Sequence, residues 1–137
     1  MARGEWLARD DRGASAVEFV MMSVLLVMLL FAVLQVAVYV YVRNVVAASA
    51  ADGARFAASS GADIASGGEH ASGGIRAGLS QAAAARIACV SRRSLDSDSG
   101  LATVAVRCRG RLRPILLPVG LRFRVDVTAS ALQEQGP

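Results

Sequence analysis

No lysine occurs among the 137 residues; all 15 strongly basic side chains are arginines. Set beside so much alanine, that choice reads as a compositional bias and assigns no function. Histidine occurs once, at His70, and cysteine twice, at Cys89 and Cys108, with no two-cysteine ligand spacing, so no metal site is expected. No nucleophile is paired with a base, no glycine loop is built for phosphate, and no carboxylate pair rises above chance. Neither catalysis nor a cofactor is therefore expected. Asp96 and Asp98 lie in the turn-like cluster Asp96-Ser-Asp-Ser-Gly100, where backbone geometry accounts for them.

Proline is absent before Pro114, glycine is absent between Gly13 and Gly53, and charge is absent from Phe19 to Val42. The missing breakers make residues 14–58 one helix of about 40 residues, roughly 60 Å long. The missing charge gives that helix a membrane span at about 19–42, where Ser23 and Gln35 are the only clearly polar side chains besides two tyrosines. A run of 24 residues is about 36 Å as a helix, against roughly 30 Å of hydrocarbon. Its 15 Leu, Val and Phe residues contribute about −4 to −9 kcal/mol on the insertion scale, before Gln35 is set against them.

Two other readings of the run fare worse. A chain this short has too little surrounding protein to bury a helix that is apolar on every side. A cleaved secretory signal would use Ala48-Ser49-Ala50, but the run exceeds the usual apolar region and Arg43 lies between it and that site. Arg3, Arg9 and Arg12 precede the span among Glu5, Asp10 and Asp11. Acids contribute little to orientation, so these arginines favour a cytoplasmic N-terminus, although Arg43 and Arg55 beyond the span weaken the asymmetry.

Beyond the long helix, the glycines and serines of 59–74 predict a flexible loop. Alanine content predicts a second, short helix over about Ile75–Val90, with Ile75, Leu79, Ala82, Ala83 and Val90 on one arc. The period then changes to two. Val104, Val106 and Cys108 alternate with Thr103, Ala105, Arg107 and Arg109, and Leu121, Phe123, Val125 and Val127 with Arg122, Arg124, Asp126 and Thr128. These segments predict an antiparallel β-pair, joined through Gly110–Gly120 and packed under the first helix. The expected architecture is a membrane-anchored α+β chain: a polar leader at 1–13, the long helix at 14–58, the loop at 59–74, a small head at 75–132 and a frayed tail at 133–137.

The informative feature is an acid at the head of the apolar run. If the chain were cut after Gly13, Ala14 would become the first residue, Glu18 the fifth and Phe19 the sixth. A carboxylate at the edge of a span is costly without a partner and marks a candidate functional position. A helix N-terminus or a new α-amine at Ala14 would each supply one. The plain alternative is an ordinary first-turn acid at the interface, with no processing.

Arg12-Gly13-Ala-Ser-Ala-Val-Glu18-Phe19, the run Arg43-Asn-Val-Val-Ala-Ala-Ser-Ala-Ala-Asp-Gly-Ala-Arg55-Phe-Ala-Ala and, more loosely, Val125-Asp-Val-Thr-Ala-Ser-Ala resemble the TadE-like family of Tad pilus-assembly proteins. These are pseudopilins related to type IV prepilins. The resemblance implies a pilin-like fold and cleavage after Gly13 by a prepilin peptidase. It implies pairing of Glu18 with the Ala14 amine of an adjacent subunit to set axial register. Other pilin subunits and the assembly platform are the implied partners. Position 14 is alanine where many type IV pilins begin with phenylalanine, and the helix lacks their kinking proline, with Gln35 in its place. Removal of 13 residues from 137 leaves 124, longer than the short major pilins, which suits a minor subunit. The implied location is the cytoplasmic membrane, single-pass, with the C-terminal head outside the cytoplasm and a possible place in a surface pilus. An uncleaved anchor with a partner-binding head is the alternative.

Cys89 and Cys108 fall in the part expected outside the cytoplasm, where disulfides persist. A bridge there would tie the second helix to the first strand across about 20 residues and contribute roughly 3 kcal/mol in the chain-entropy model; two buried thiols are the alternative. Arg107, Arg109, Arg111 and Arg113 alternate, and Arg122 and Arg124 can lie opposite them. Such a stripe suits the phosphates of membrane lipid or nucleic acid. It also suits a solvated sheet face that discourages edge pairing. No aromatic residue interleaves Arg107–Arg113, and Phe123 alone stands between Arg122 and Arg124, which argues against single-stranded nucleic acid.

Overall fold

With no proline before residue 114 and no glycine between Gly13 and Gly53, nothing in the first third of the chain interrupts a helical ladder. A computed structural model, which describes residues 11–59, 62–113 and 122–133, has one helix there, α1, Asp11–Ala58. After it come α2 (Ser66–Gly78), a one-turn α3 (Gln81–Ala84), and strands β1 (Ile87–Leu95), β2 (Ala102–Leu112) and β3 (Phe123–Leu132). The fold is α+β: a long apolar helix, a short helix and a small antiparallel sheet. Most of the expected leader (1–10), the 114–120 connection with Pro114 and Pro118, Leu121, and tail residues 134–137 lie outside the described residues.

Contacts divide the chain into two units, residues 1–37 and 38–137. The described part of the first is the apolar stretch of α1. Its large apolar side chains are solvent-exposed from Val17 through Leu34, Phe19 at 73% among them. Soluble monomers rarely leave so much contiguous apolar surface uncovered. The helix is long and apolar enough to cross a membrane. Ser23, one of the polar residues in the run, donates its hydroxyl to the Phe19 carbonyl at 2.8 Å, which satisfies it inside the helix.

In the second unit, Val42, Val46, Ala50 and Ala54 recur every fourth residue and form a buried ridge on α1. They share one core with Ile75 of α2, Ile87 of β1, Val106 and Cys108 of β2, and Val125 of β3. The sheet order is β1-β2-β3, antiparallel throughout. β1 and β2 join through Asp96–Leu101, where the Gly100 N–H donates to the Asp96 carbonyl at 2.8 Å and Gly100 takes a φ of +66°. Glycine adopts that angle without strain.

The α1–α2 seam is built from the smallest residues. A Cβ on Gly67 would sit 2.7 Å from the Ala57 Cβ, one on Gly53 2.9 Å from the Ala71 Cβ, one on Gly74 2.8 Å from Ser49 Oγ, and one on Gly78 2.7 Å from a Val45 methyl. Residue numbers fall along α1 as they rise along α2, so the helices run antiparallel. His70 Nε2 lies 2.9 Å from Asp52 Oδ2, and its ring stacks on Phe56 at 4.5 Å, closing the solvent side of the seam.

Several expectations need correction. The helix does not start at residue 14: α1 is already helical at Asp11, because a lone glycine weakens a helix without stopping it. The flexible loop expected over 59–74, of which residues 60–61 lie outside the described residues, is helical from Ser66, because Gly67, Gly68 and Gly74 serve close packing. The helix expected over 75–90 does not exist as one element. Ile75–Gly78 completes α2, Gln81–Ala84 forms α3, and Ile87 onward is strand. There β-pairing overrides alanine propensity, and Val90, expected on the buried arc, is 52% exposed. The sheet therefore has three strands and not two.

The assembly helix and the arginine face

Gly13 and Ala14 lie in the first described turn of α1 and are exposed, and a Cβ on Gly13 would meet nothing within 4 Å. Glu18 shares one side of the helix with Ala14, Val17, Met21, Met22 and Leu25. This follows from 3.6-residue periodicity, which stacks i, i+4 and i+7. Phe19 projects about 100° away from Glu18 around the axis. The plain alternative, an ordinary first-turn acid in an unprocessed chain, does not fit the helix as described. With α1 helical from Asp11, Glu18 lies about two turns inside.

The arginines converge elsewhere. On β2, Arg107, Arg109 and Arg111 point away from the core, because Val106, Cys108 and Leu112 point toward it. Register places Arg109 opposite Asp126 and Arg111 opposite Arg124. Arg113 and Arg122 flank the strand ends, and Arg86 and Gly110 complete an open cleft with these residues. Its lining carries seven arginines and one carboxylate.

That carboxylate is fully engaged. Arg107 donates Nε to Asp126 Oδ1 at 2.9 Å and Nη2 to Oδ2 at 2.7 Å, and Arg109 Nε lies 3.3 Å from Oδ2. The Arg107 hydrogen bonds, with its charge and that of Arg109, hold the Asp126 carboxyl below the usual carboxylate range. Arg86 and Asp126 were absent from the sequence's candidates. Asp126 was visible in the period-two pattern, but Arg86 precedes β1 and no periodicity marks it.

Cys89 and Cys108 lie directly opposite each other on β1 and β2 and are joined, with Cα atoms 4.1 Å apart. The bridge ties strand to strand and not, as expected, helix to strand, because Cys89 belongs to β1. Cys108 is fully buried beneath α1. Also in this unit, the Tyr39 ring packs 5.7 Å from that of Phe123, and the Tyr41 hydroxyl donates to the Gly78 carbonyl at 3.0 Å.

The sequence resemblance implied a long apolar N-terminal helix and a small α+β head, and both elements are present. Residues 13–55 match the TadE-like protein family. The TadE-like match begins at Gly13, takes in Glu18, Phe19 and the whole charge-free run, and ends at Arg55 beside the α1–α2 seam. The family points to Tad pilus assembly, to a structural role and to contacts with other pilus components. The apolar helix is compatible with a single-pass membrane protein. The sheet, its disulfide and its arginines lie outside the TadE-like segment. No curated protein and no solved structure matches the chain.

Proposed function

We propose that this chain is a minor pseudopilin, a structural subunit of a Tad-type pilus assembly system, processed by a prepilin peptidase after Gly13. The observation that carries the reading is the position of Glu18: one exposed acid, five residues beyond Gly13, heading an uncovered apolar helix inside the TadE-like match. Cleavage after Gly13 would make Ala14 the helix start. Its amine would then lie one turn from Glu18 on the same face, or within reach of the Glu18 of a neighbouring helix. In lipid, that charge pair would be an ionic contact between largely apolar helices, and it would fix their axial stagger. Met21, Met22 and Leu25 on the same face would supply the packing around it.

The Cys89–Cys108 bridge supports a head outside the cytoplasm, since such bridges persist in oxidising compartments. The N-terminus is then cytoplasmic, where the peptidase acts, and the protein sits in the cytoplasmic membrane until it enters or primes a filament. The continuity of α1 through Gly13 favours the second reading, an uncleaved single-pass anchor whose head binds a partner. Against it, Gly13 lies in the first described turn, and helix ends fray at little cost.

The test is co-expression with the cognate prepilin peptidase, read by intact mass. Wild type is expected to lose residues 1–13 and Gly13→Ala to retain them. Glu18→Gln is expected to be cleaved but to fail to co-shear with surface filaments. A wild-type mass that still includes residues 1–13 overturns the processing claim and leaves the anchor reading.

A further inference from the structure

We propose that the arginine-bearing end of the sheet is a docking surface for the anionic phospholipid headgroups of the leaflet from which the apolar run emerges. This rests on α1 crossing a membrane and is independent of cleavage after Gly13.

Position is the first argument. The charge-free run ends at Val42, and Tyr39 belongs to its last turn. Both residues are built into the head: Val42 is part of its core, and the Tyr39 ring packs on Phe123 at 5.7 Å. Phe123 pairs with Leu112 across β2 and β3. That end of the sheet is therefore level with the end of the apolar run. Arg111, Arg113, Arg122 and Arg124 are the immediate neighbours of the Leu112–Phe123 pair. At about 3.3 Å per strand residue they fall within roughly one headgroup layer of it. Tyrosine at that depth is characteristic of a membrane–water interface.

Charge is the second. Arg111 lies directly opposite Arg124, and like charges at cross-strand positions repel. Among the described residues, Asp126 is the only acid lining the cleft, and Arg107 and Arg109 already occupy it. Arg86, Arg111, Arg113, Arg122 and Arg124 have no carboxylate within ion-pair distance among the described residues. A lipid phosphate offers each guanidinium two acceptor oxygens and relieves the repulsion. Nucleic acid fits less well, because the one aromatic at this end, Phe123, is turned onto Tyr39 and offers no face to a base.

The full-length chain is reconstituted in nanodiscs of an equimolar phosphatidylcholine and phosphatidylglycerol mixture, and the lipids retained on release are counted by native mass spectrometry. Wild type is expected to retain phosphatidylglycerol in preference to phosphatidylcholine. Each arginine removed among Arg111→Gln, Arg113→Gln, Arg122→Gln and Arg124→Gln is expected to lower that preference about fivefold. The Cys89–Cys108 bridge and the circular dichroism of each variant report that the head remains folded. Arg111→Gln serves as the second measurement. In phosphatidylcholine alone it should melt at or above the wild-type temperature, because it removes a repulsive pair, whereas with phosphatidylglycerol present it should lose part of the lipid-induced stabilisation. Equal retention of the two lipids by wild type overturns the proposal, as does a preference unchanged in the fourfold variant. The fourfold variant is the chain with Arg111→Gln, Arg113→Gln, Arg122→Gln and Arg124→Gln combined. Binding of inorganic phosphate or a single-stranded oligonucleotide by chain held in phosphatidylcholine, without a phosphatidylglycerol preference, also overturns the proposal.

Discussion

Gly53 on α1 and Gly67 on α2 approach so closely that neither position has room for a side chain: a Cβ on Gly67 would lie 2.8 Å from the Gly53 carbonyl oxygen. The obstacles there are backbone and a β-carbon, which cannot swing aside. Gly67→Ala should therefore force the helices apart and destabilise the head by about 1–3 kcal/mol, despite alanine's better helix propensity. Gly73 is the internal control, in the same helix with nothing within 4 Å of its hypothetical Cβ. Gly73→Ala should stabilise by about 0.5–1 kcal/mol. Chemical unfolding of the detergent-solubilised chain distinguishes the two signs.

Ser91 provides a cap from a distance. Its hydroxyl donates to the Ile64 carbonyl and accepts from the Gly68 N–H at 3.3 Å, where α2 itself offers only Ala65 as N-cap, with no side-chain bond. Ser91→Ala should cost about 1 kcal/mol, the usual value of a lost cap. Hydrogen exchange should accelerate in the first turn of α2 while the β2–β3 amides stay protected.

Reduction of the Cys89–Cys108 bridge, which closes a separation of 19 residues, should cost the head roughly 3 kcal/mol in the chain-entropy model. Alkylation of denatured, unreduced protein should add no mass, and prior reduction should admit two labels. Two labels without reductant would contradict the bridge.

The Asp126 carboxyl titrates below the ordinary carboxylate range because Arg107, and then Arg109, favour its charged form. Its folded-state value lies beneath its unfolded one. The pairing thus contributes fully above the ordinary carboxylate pKa and is lost as the pH falls through the depressed value. The site is exposed, so the effect should be small and screened by salt. Carboxyl NMR should show Asp126 titrating upward toward its ordinary range in Arg107→Gln. The acid-side fall in melting temperature should be shallower in Asp126→Asn than in wild type.

The long helix and β2–β3 were legible because each is written in a local pattern: missing breakers and charge in one, strict alternation in the other. α2 and β1 were not, for two reasons. Gly67, Gly68 and Gly74 serve helix–helix and helix–strand contact, yet in sequence they look like flexibility; only the partner, Ser49 or Ala57, reveals the difference. β1 has just Ile87, Cys89 and Ser91 turned inward before it becomes exposed, and one of the three is a serine whose value lies in a bond to α2. Of the candidate site, the shared face of the β2 arginines was readable from the period of two, while Glu18 stood out only as the acid heading a charge-free run. Arg86 and the Arg111–Arg124 opposition required knowledge of the register.

The bridge joins residues on neighbouring strands beneath α1, and this has a consequence for timing. In the proposed topology the head crosses the membrane as an unfolded thread with two separate thiols. Once Cys89 and Cys108 are oxidised on the far side, the thread contains a covalent ring closed around the β1–β2 turn. A ring cannot re-enter a channel sized for a single strand of chain, so in that topology closure would act as a ratchet that makes export one-way.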